Sequence, residues 1–180
     1  MQLELFLDLE TYSETPIKNG THAYAENAEV MIFAWALNDG EVHVEDLTAA
    51  PMSKELVALL HNPSVKLIAH NSGFDRTVLR YAMSQYDLKI ERWEDTMVQA
   101  LSHSLPGALG SLCEIFNIDQ DKAKDKAGKQ LIQLFCKPQP ANRKERRATR
   151  ETHPEKWAEF LAYAKNDILA MRELRKKMPK

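Results

Sequence analysis

The spacing of apolar residues changes once along this chain, and that change restricts the fold more than any other feature. In the first 47 residues apolar side chains recur at every second position. Leu3, Leu5, Leu7 and Leu9 line one face of an opening strand, which leaves Asp8 and Glu10 together on the other. The run over 30–37 meets the turn Asn38-Asp39-Gly40, and Val42 and Val44 alternate through 41–47, so a hairpin follows. The neighbouring Asp39-Gly40-Glu41 repeats the DxE spacing but reads as part of that turn. From Ser53 onward helical spacing takes over, interrupted by short apolar runs. Ser53 caps a helix over 54–61 that Asn62-Pro63 stops, 65–69 reads as a buried strand, and Phe74, Val78, Leu79 and Ala82 predict a helix over 74–86. A short strand near 90–93 and helical stretches over 109–116 and 128–135 come next, before Lys137-Pro138-Gln139-Pro140 breaks the chain. Thr152-His153-Pro154-Glu155 has capping-box spacing. It opens a helix whose stripe of Trp157, Phe160, Leu161, Ala164, Ile168, Met171 and Leu174 runs to about Lys177. A meander that gives way to alternating helices and strands specifies an α/β domain, a mixed sheet with helices packed on it.

The 180 residues suit one domain, and no linker or repeat divides them. No stretch approaches the roughly 18 consecutive apolar residues of a membrane span, so no membrane partner is expected. The strand-like start carries no basic leader. Cys113 and Cys136 form neither a CxxC pair nor a disulfide framework, which predicts a reducing, cytoplasmic setting. The net charge of −2 conceals an asymmetry: residues 1–90 hold 6 Lys/Arg against 13 Asp/Glu, and residues 91–180 hold 18 against 13. The cations Lys137, Arg143, Lys144, Arg146, Arg147 and Arg150 surround the single anion Glu145. An acidic half joined to such a segment suits a protein that holds cations in one place and a polyanion beside it. A solvated charged loop would have the same composition.

Three places could carry chemistry. Asp8 and Glu10 end a strand expected to lie inside the sheet, where two anions on one face are costly unless a cation joins them. His70-Asn71-Ser72-Gly73-Phe74-Asp75 joins a strand to a helix, with Asp75 in the first turn, where the helix dipole also favours a carboxylate. Tyr163 and Asp167, four apart on the last helix, share a face at the edge of the apolar stripe. The six histidines form no HxxxH or HExxH pattern, and no GxSxG elbow or GxxxxGK loop is present. The remaining donors are oxygens, which select hard cations such as Mg²⁺ or Mn²⁺.

In order, Asp8-x-Glu10, Asn71-x-x-x-Asp75 and Tyr163-x-x-x-Asp167 resemble the three exonuclease motifs of the DEDD superfamily in its tyrosine-bearing branch. The histidine branch places a histidine five residues before the last aspartate, and Ala162 stands there. Asp8-Leu9-Glu10-Thr11-Tyr12-Ser13, Lys124-Asp125-Lys126-Ala127-Gly128-Lys129 and Phe135-Cys136-Lys137-Pro138 are similar to the 3′-to-5′ proofreading exonuclease domains of phage-type family-A DNA polymerases. The resemblance implies a ribonuclease H-like fold, with the antiparallel meander followed by parallel strands. It also implies hydrolysis of the terminal phosphodiester at single-stranded or frayed DNA 3′ ends by two divalent metal ions, Mg²⁺ or Mn²⁺, releasing nucleoside monophosphates. Asp8 would bridge both ions, Glu10 and Asp167 would complete the first site, Asp75 would hold the second, and Tyr163 would orient the attacking water. Thr11, Asn71 and Phe74 would meet the nucleic acid. Arg143, Lys144, Arg146, Arg147 and Arg150 are expected to contact phosphates without reading sequence. A polymerase domain, in the same chain or a separate one, is the expected partner, which would make 1–180 the N-terminal exonuclease domain of something longer. For a phage protein the setting is the host cytoplasm. The same motifs serve RNA-trimming exonucleases of the ribonuclease D kind, and a non-catalytic nucleic-acid-binding module could retain the fold.

Overall fold

The computed structural model describes residues 1–119 and 122–180, with the side chains of 122–125 also outside the description. The opening strand, β1 (Glu4–Tyr12), becomes the middle of a five-stranded sheet of order β3-β2-β1-β4-β5. β2 (Glu29–Leu37) and β3 (Val42–Asp46) form the expected hairpin, and β2 lies antiparallel to β1. β4 (Lys66–Ala69) and β5 (Trp93–Asp95) continue the sheet in parallel. This is the mixed α/β sheet that the change of spacing predicts, with the meander first and the parallel strands after, as the resemblance implies.

Period two decides what each face of β1 covers. Leu5, Leu7 and Leu9 pack with Phe33, Trp35 and Leu67 under α1 (Thr21–Glu26), α2 (Lys54–His61) and α3 (Ser72–Ala82). On the other face Phe6 and Tyr12 join Ile32, Ala34 and Ile68 under α6 (Lys122–Phe135) and α7 (Pro154–Lys177). α4 (Thr96–Ser102) and α5 (Leu109–Ile115) close a smaller cluster around Ala100, Leu112 and Leu174 at the end of α7.

Several local expectations shift. The stretch 90–92 is a single 3₁₀ turn, and β5 begins at Trp93. α3 starts two residues early, where the Asp95 carboxylate accepts the N–H groups of Asn71 and Ser72, and it stops at Ala82. α6 begins at Lys122 instead of 128, and α1 and α4 have no counterpart in the sequence reading. The capping box of α7 does not form. His153 is the cap residue, Pro154 occupies the first turn, and Thr152 Oγ1 accepts the Thr149 N–H at 2.8 Å instead. Proline has no N–H to satisfy at that position, which lowers the need for a side-chain cap.

Candidate active site

Asp8 and Glu10 project from the α7 side of β1, where the sheet meets the helix carrying Tyr163 and Asp167. Asp8, Glu10 and Asp167 each offer a carboxylate oxygen, and these oxygens lie within 4.8 Å of one another. Asp75 reaches the same place from the opposite layer. Its helix packs on the other face of the sheet, but its first turn stands over the carboxyl end of β4, and the side chain is buried there. Asp75 and Asp8 repel each other, and the charges of Asp8, Asp167 and Asp75 all act on Glu10. The carboxyl ends of strands in open α/β sheets commonly carry such sites.

The cluster is electrostatically unsatisfied. Burial pushes Asp8 up to about 7, opposed by the backbone N–H of Leu9. Glu10 stands well above the usual carboxylate range, first through burial and then through its acidic neighbours Asp8, Asp167 and Asp75. Asp75 is raised by burial and then by Asp8. Asp8 Oδ2 and Asp75 Oδ1 are buried oxygens that receive no hydrogen bond within the protein. A buried acceptor left in that state is destabilising, and four converging anions more so. A hard divalent cation answers both conditions, and the all-oxygen donor set suits Mg²⁺ or Mn²⁺. Burial and then Glu10 raise the thiol of nearby Cys136 far above neutral pH.

Tyr163 is half-buried. Its ring lies nearly parallel to that of Phe160, at 6.3 Å between centroids. The ring also lies against Gly128 of α6. A Cβ on Gly128 would fall 2.1 Å from Tyr163 Cε2 and 2.5 Å from Cδ2, so the ring occupies the space a side chain would fill. Asp8, Tyr163 and Asp167 line a cavity of about 540 Å³ together with His70 and Lys129. A second cavity of about 630 Å³ lies on the far side of Glu10, bounded by Thr11, Tyr24, Phe74 and Cys136.

The residues expected at nucleic acid are distributed unevenly. Thr11 and Phe74 line the second cavity, where Thr11 Oγ1 lies 2.7 Å from the Tyr24 hydroxyl and Phe74 packs on the Tyr24 ring. Asn71 stands at the start of α3 in the left-handed conformation (φ 63°), its side chain not capping the helix. In the basic segment Arg143 and Lys144 are exposed. Arg146 pairs with Glu14, Arg147 pairs with Glu29 and lies over the Tyr12 ring, and Arg150 pairs with Asp46. These pairs fasten the segment beside the carboxyl end of β1. Sequence reasoning missed Asp95, His70, Tyr24 and Lys129 as neighbours of the site, and it quoted Gly128 without a role. Asp95-Thr96 is a helix-start signal, and a glycine inside a helix is a packing signal.

Comparisons with known proteins agree with this geometry. The family model described as 3'-5' exonuclease matches residues 7–180. A DNA polymerase of Bacillus phage SP02 is 33% identical over 183 residues, covering 98% of this chain but only 28% of that polymerase. Among solved structures, Brucella melitensis NrnC superposes with a TM-score of 0.58 at 16% identity, over 96% of this chain and 70% of that one. The Aedes aegypti Nibbler EXO domain superposes with a TM-score of 0.51 at 16% identity, over 97% and 77%. NrnC has been solved with bound Mg²⁺ and with pGG. Sheet, acid cluster and family match agree: the chain belongs to the 3′-5′ exonuclease family and has its ribonuclease H-like fold.

Proposed function

We propose that this chain removes nucleotides from DNA 3′ ends by hydrolysing the terminal phosphodiester, as a proofreading-type exonuclease paired with a polymerase domain in the same or another chain. The observation that carries the chemistry is the convergence of Asp8, Glu10 and Asp167, with Asp75 beside them and two of the buried acid oxygens lacking donors. Asp8 faces both halves of the site. Glu10 and Asp167 would hold one cation, and Asp75 would hold the other. When bound, a divalent pair lowers the pKa of water and neutralises charge on the entering and leaving oxygens of an in-line displacement. A phenol is a poor general base at neutral pH, so Tyr163 orients the attacking water by hydrogen bonding and does not deprotonate it. Thr11 and Phe74 border the space for the terminal nucleotide, and Asn71 stands at its edge. Exposed Arg143 and Lys144 suit contacts to the phosphates upstream. Arg146, Arg147 and Arg150 pair with acids through part of their guanidinium groups and keep further N–H donors for phosphates.

DNA is favoured over RNA by the 33% identity to a phage DNA polymerase across nearly the whole chain. The pGG complex of NrnC keeps the ribonucleotide reading as the second one. Matched 5′-labelled DNA and RNA oligonucleotides, digested in parallel with Mg²⁺ or Mn²⁺, separate them. The expected result is stepwise shortening of DNA that stops with EDTA. Faster RNA shortening would transfer the enzyme to the second reading, and tight metal-independent binding without cleavage would make it a binding module.

The acids also fix a pH dependence. Asp8 holds its proton up to about pH 7 in the metal-free protein, and Glu10 and Asp75 are raised as well. A cation must displace those protons, so its affinity increases as pH rises through that range. Half-saturating Mg²⁺, measured from initial rates, is expected to fall severalfold between about pH 6 and about pH 8. A flat profile would contradict the protonated, metal-free cluster.

A further inference from the structure

A fifth acid lies beside the cluster without facing it. Asp95 ends β5, one strand beyond the strand that leads to Asp75, and parallel pairing sets it opposite Ala69. Both of its oxygens are engaged. Oδ1 accepts the N–H of Asn71 at 2.9 Å and of Met97 at 2.8 Å. Oδ2 accepts the N–H of Ser72 at 2.7 Å and the Ser72 hydroxyl at 2.9 Å. The next residue continues the grip: Thr96 Oγ1 lies 2.8 Å from His70 Nδ1, while His70 Nε2 lies 2.6 Å from the carbonyl oxygen of Gly107. Three consecutive residues, 70–72, are thereby tied to the β5–α4 junction. They are the three that turn the chain from β4 into α3.

We propose that Asp95 is a positioning residue of the exonuclease site, holding the β4–α3 turn so that Asp75 faces Asp8. The inference rests on the reading above that Asp75 supports a cation. Asn71 adopts the left-handed conformation at the turn, which directs its own N–H and that of Ser72 toward one point. A carboxylate at that point receives both and holds a conformation that an L-residue otherwise visits rarely. Asp75 follows in the first turn of the helix so fixed, with Oδ1 buried and without a donor. The contrast in hydrogen bonding separates the acids. Asp8 and Asp75 keep unengaged oxygens, which a cation can use. Asp95 accepts four hydrogen bonds and leaves its oxygens nothing to offer an ion. Asparagine cannot replace it, since an amide presents one acceptor and turns its own donors toward the N–H groups of the turn.

The test is Mn²⁺ binding by calorimetry, with melting temperature and single-turnover rate measured on the same 180-residue chain. Asp95→Asn is expected to weaken Mn²⁺ binding severalfold and to slow hydrolysis by about tenfold to a hundredfold, the scale of a misplaced reacting group. The same change made in an Asp75→Asn background should leave Mn²⁺ binding where Asp75→Asn alone puts it. A carboxylate that only caps α4 would lower the melting temperature and leave Mn²⁺ affinity and rate intact, and that outcome overturns the proposal. If Asp75→Asn itself changes neither Mn²⁺ binding nor rate, the underlying site assignment fails instead. Should Asp95→Asn not fold, Ser72→Ala removes one of the four donors and decides the matter. A smaller loss of Mn²⁺ affinity supports the proposal, and unchanged affinity and rate overturn it.

Discussion

Replacing Asp8 with asparagine is expected to abolish hydrolysis while leaving the metal-free protein at least as stable as the native chain. Catalytic metal ions supply several kcal/mol of charge stabilisation, so losing the acid shared by both positions should cost about a thousandfold or more in rate. Stability moves the other way because the native carboxylate is held out of water among like charges. The folded pKa of about 7 lies above the 3.8 of an unburied aspartate. The folded state therefore binds more protons than the unfolded chain between those values, and native stability falls as pH rises through that window. Asparagine has no proton to lose. The difference in melting temperature between variant and native protein should accordingly widen in the variant's favour from about pH 5 to about pH 8 with EDTA present. Paired calorimetric scans at the two pH values and a single-turnover assay check both halves. A variant within tenfold of native activity would remove Asp8 from the centre of the reaction.

Gly128→Ala should damage catalysis through a residue that never meets the substrate. The added methyl group would sit inside the Tyr163 ring, 2.1 Å from Cε2, so the ring, the helix or both must move. Replacing a glycine by alanine inside a helix gains about 1 kcal/mol of intrinsic propensity. Overpacking typically costs about 1–3 kcal/mol, which offsets or exceeds that gain. Displacing the hydroxyl by about 1 Å is enough to lose roughly a hundredfold in rate, because a positioning group works only within a narrow geometry. The decisive comparison is with Tyr163→Ala, which vacates the contested space. In that background Gly128→Ala should cause no further loss of rate and should regain the helical stability. Additive losses would mean that Gly128 acts elsewhere.

The parts legible in the sequence are those set by local period. Parity along β1 assigns Leu5, Leu7 and Leu9 to one layer and Asp8 and Glu10 to the other, because successive strand residues point to opposite faces. The stripe on α7 likewise places Tyr163 and Asp167 at the edge of the core. Asp75 carries no such signal. An acid in the first turn of a helix is ordinary, and its arrival at the cluster depends on how α3 crosses the end of β4. Asp95 was less legible still, since its partners are backbone amides 24 and 23 residues away in sequence. The acids that tether Arg146, Arg147 and Arg150 belong to the loop after β1, to β2 and to β3, so a one-dimensional reading sees only a run of unpaired cations. The missing cap on α7 has a simpler cause: the motif has the right spacing, but the helix starts one residue later than the motif requires.

Asp75 hangs from the layer above the sheet and Asp167 from the layer below, with the first strand passing between them. Ions gripped by these acids would rivet the two halves of the sandwich together at a rim where greasy contacts end. Cation supply would then govern how firmly that mouth stays shut. The far rim, where Arg175 bridges Glu4 and Glu94, keeps its own clasp whether or not metal is present.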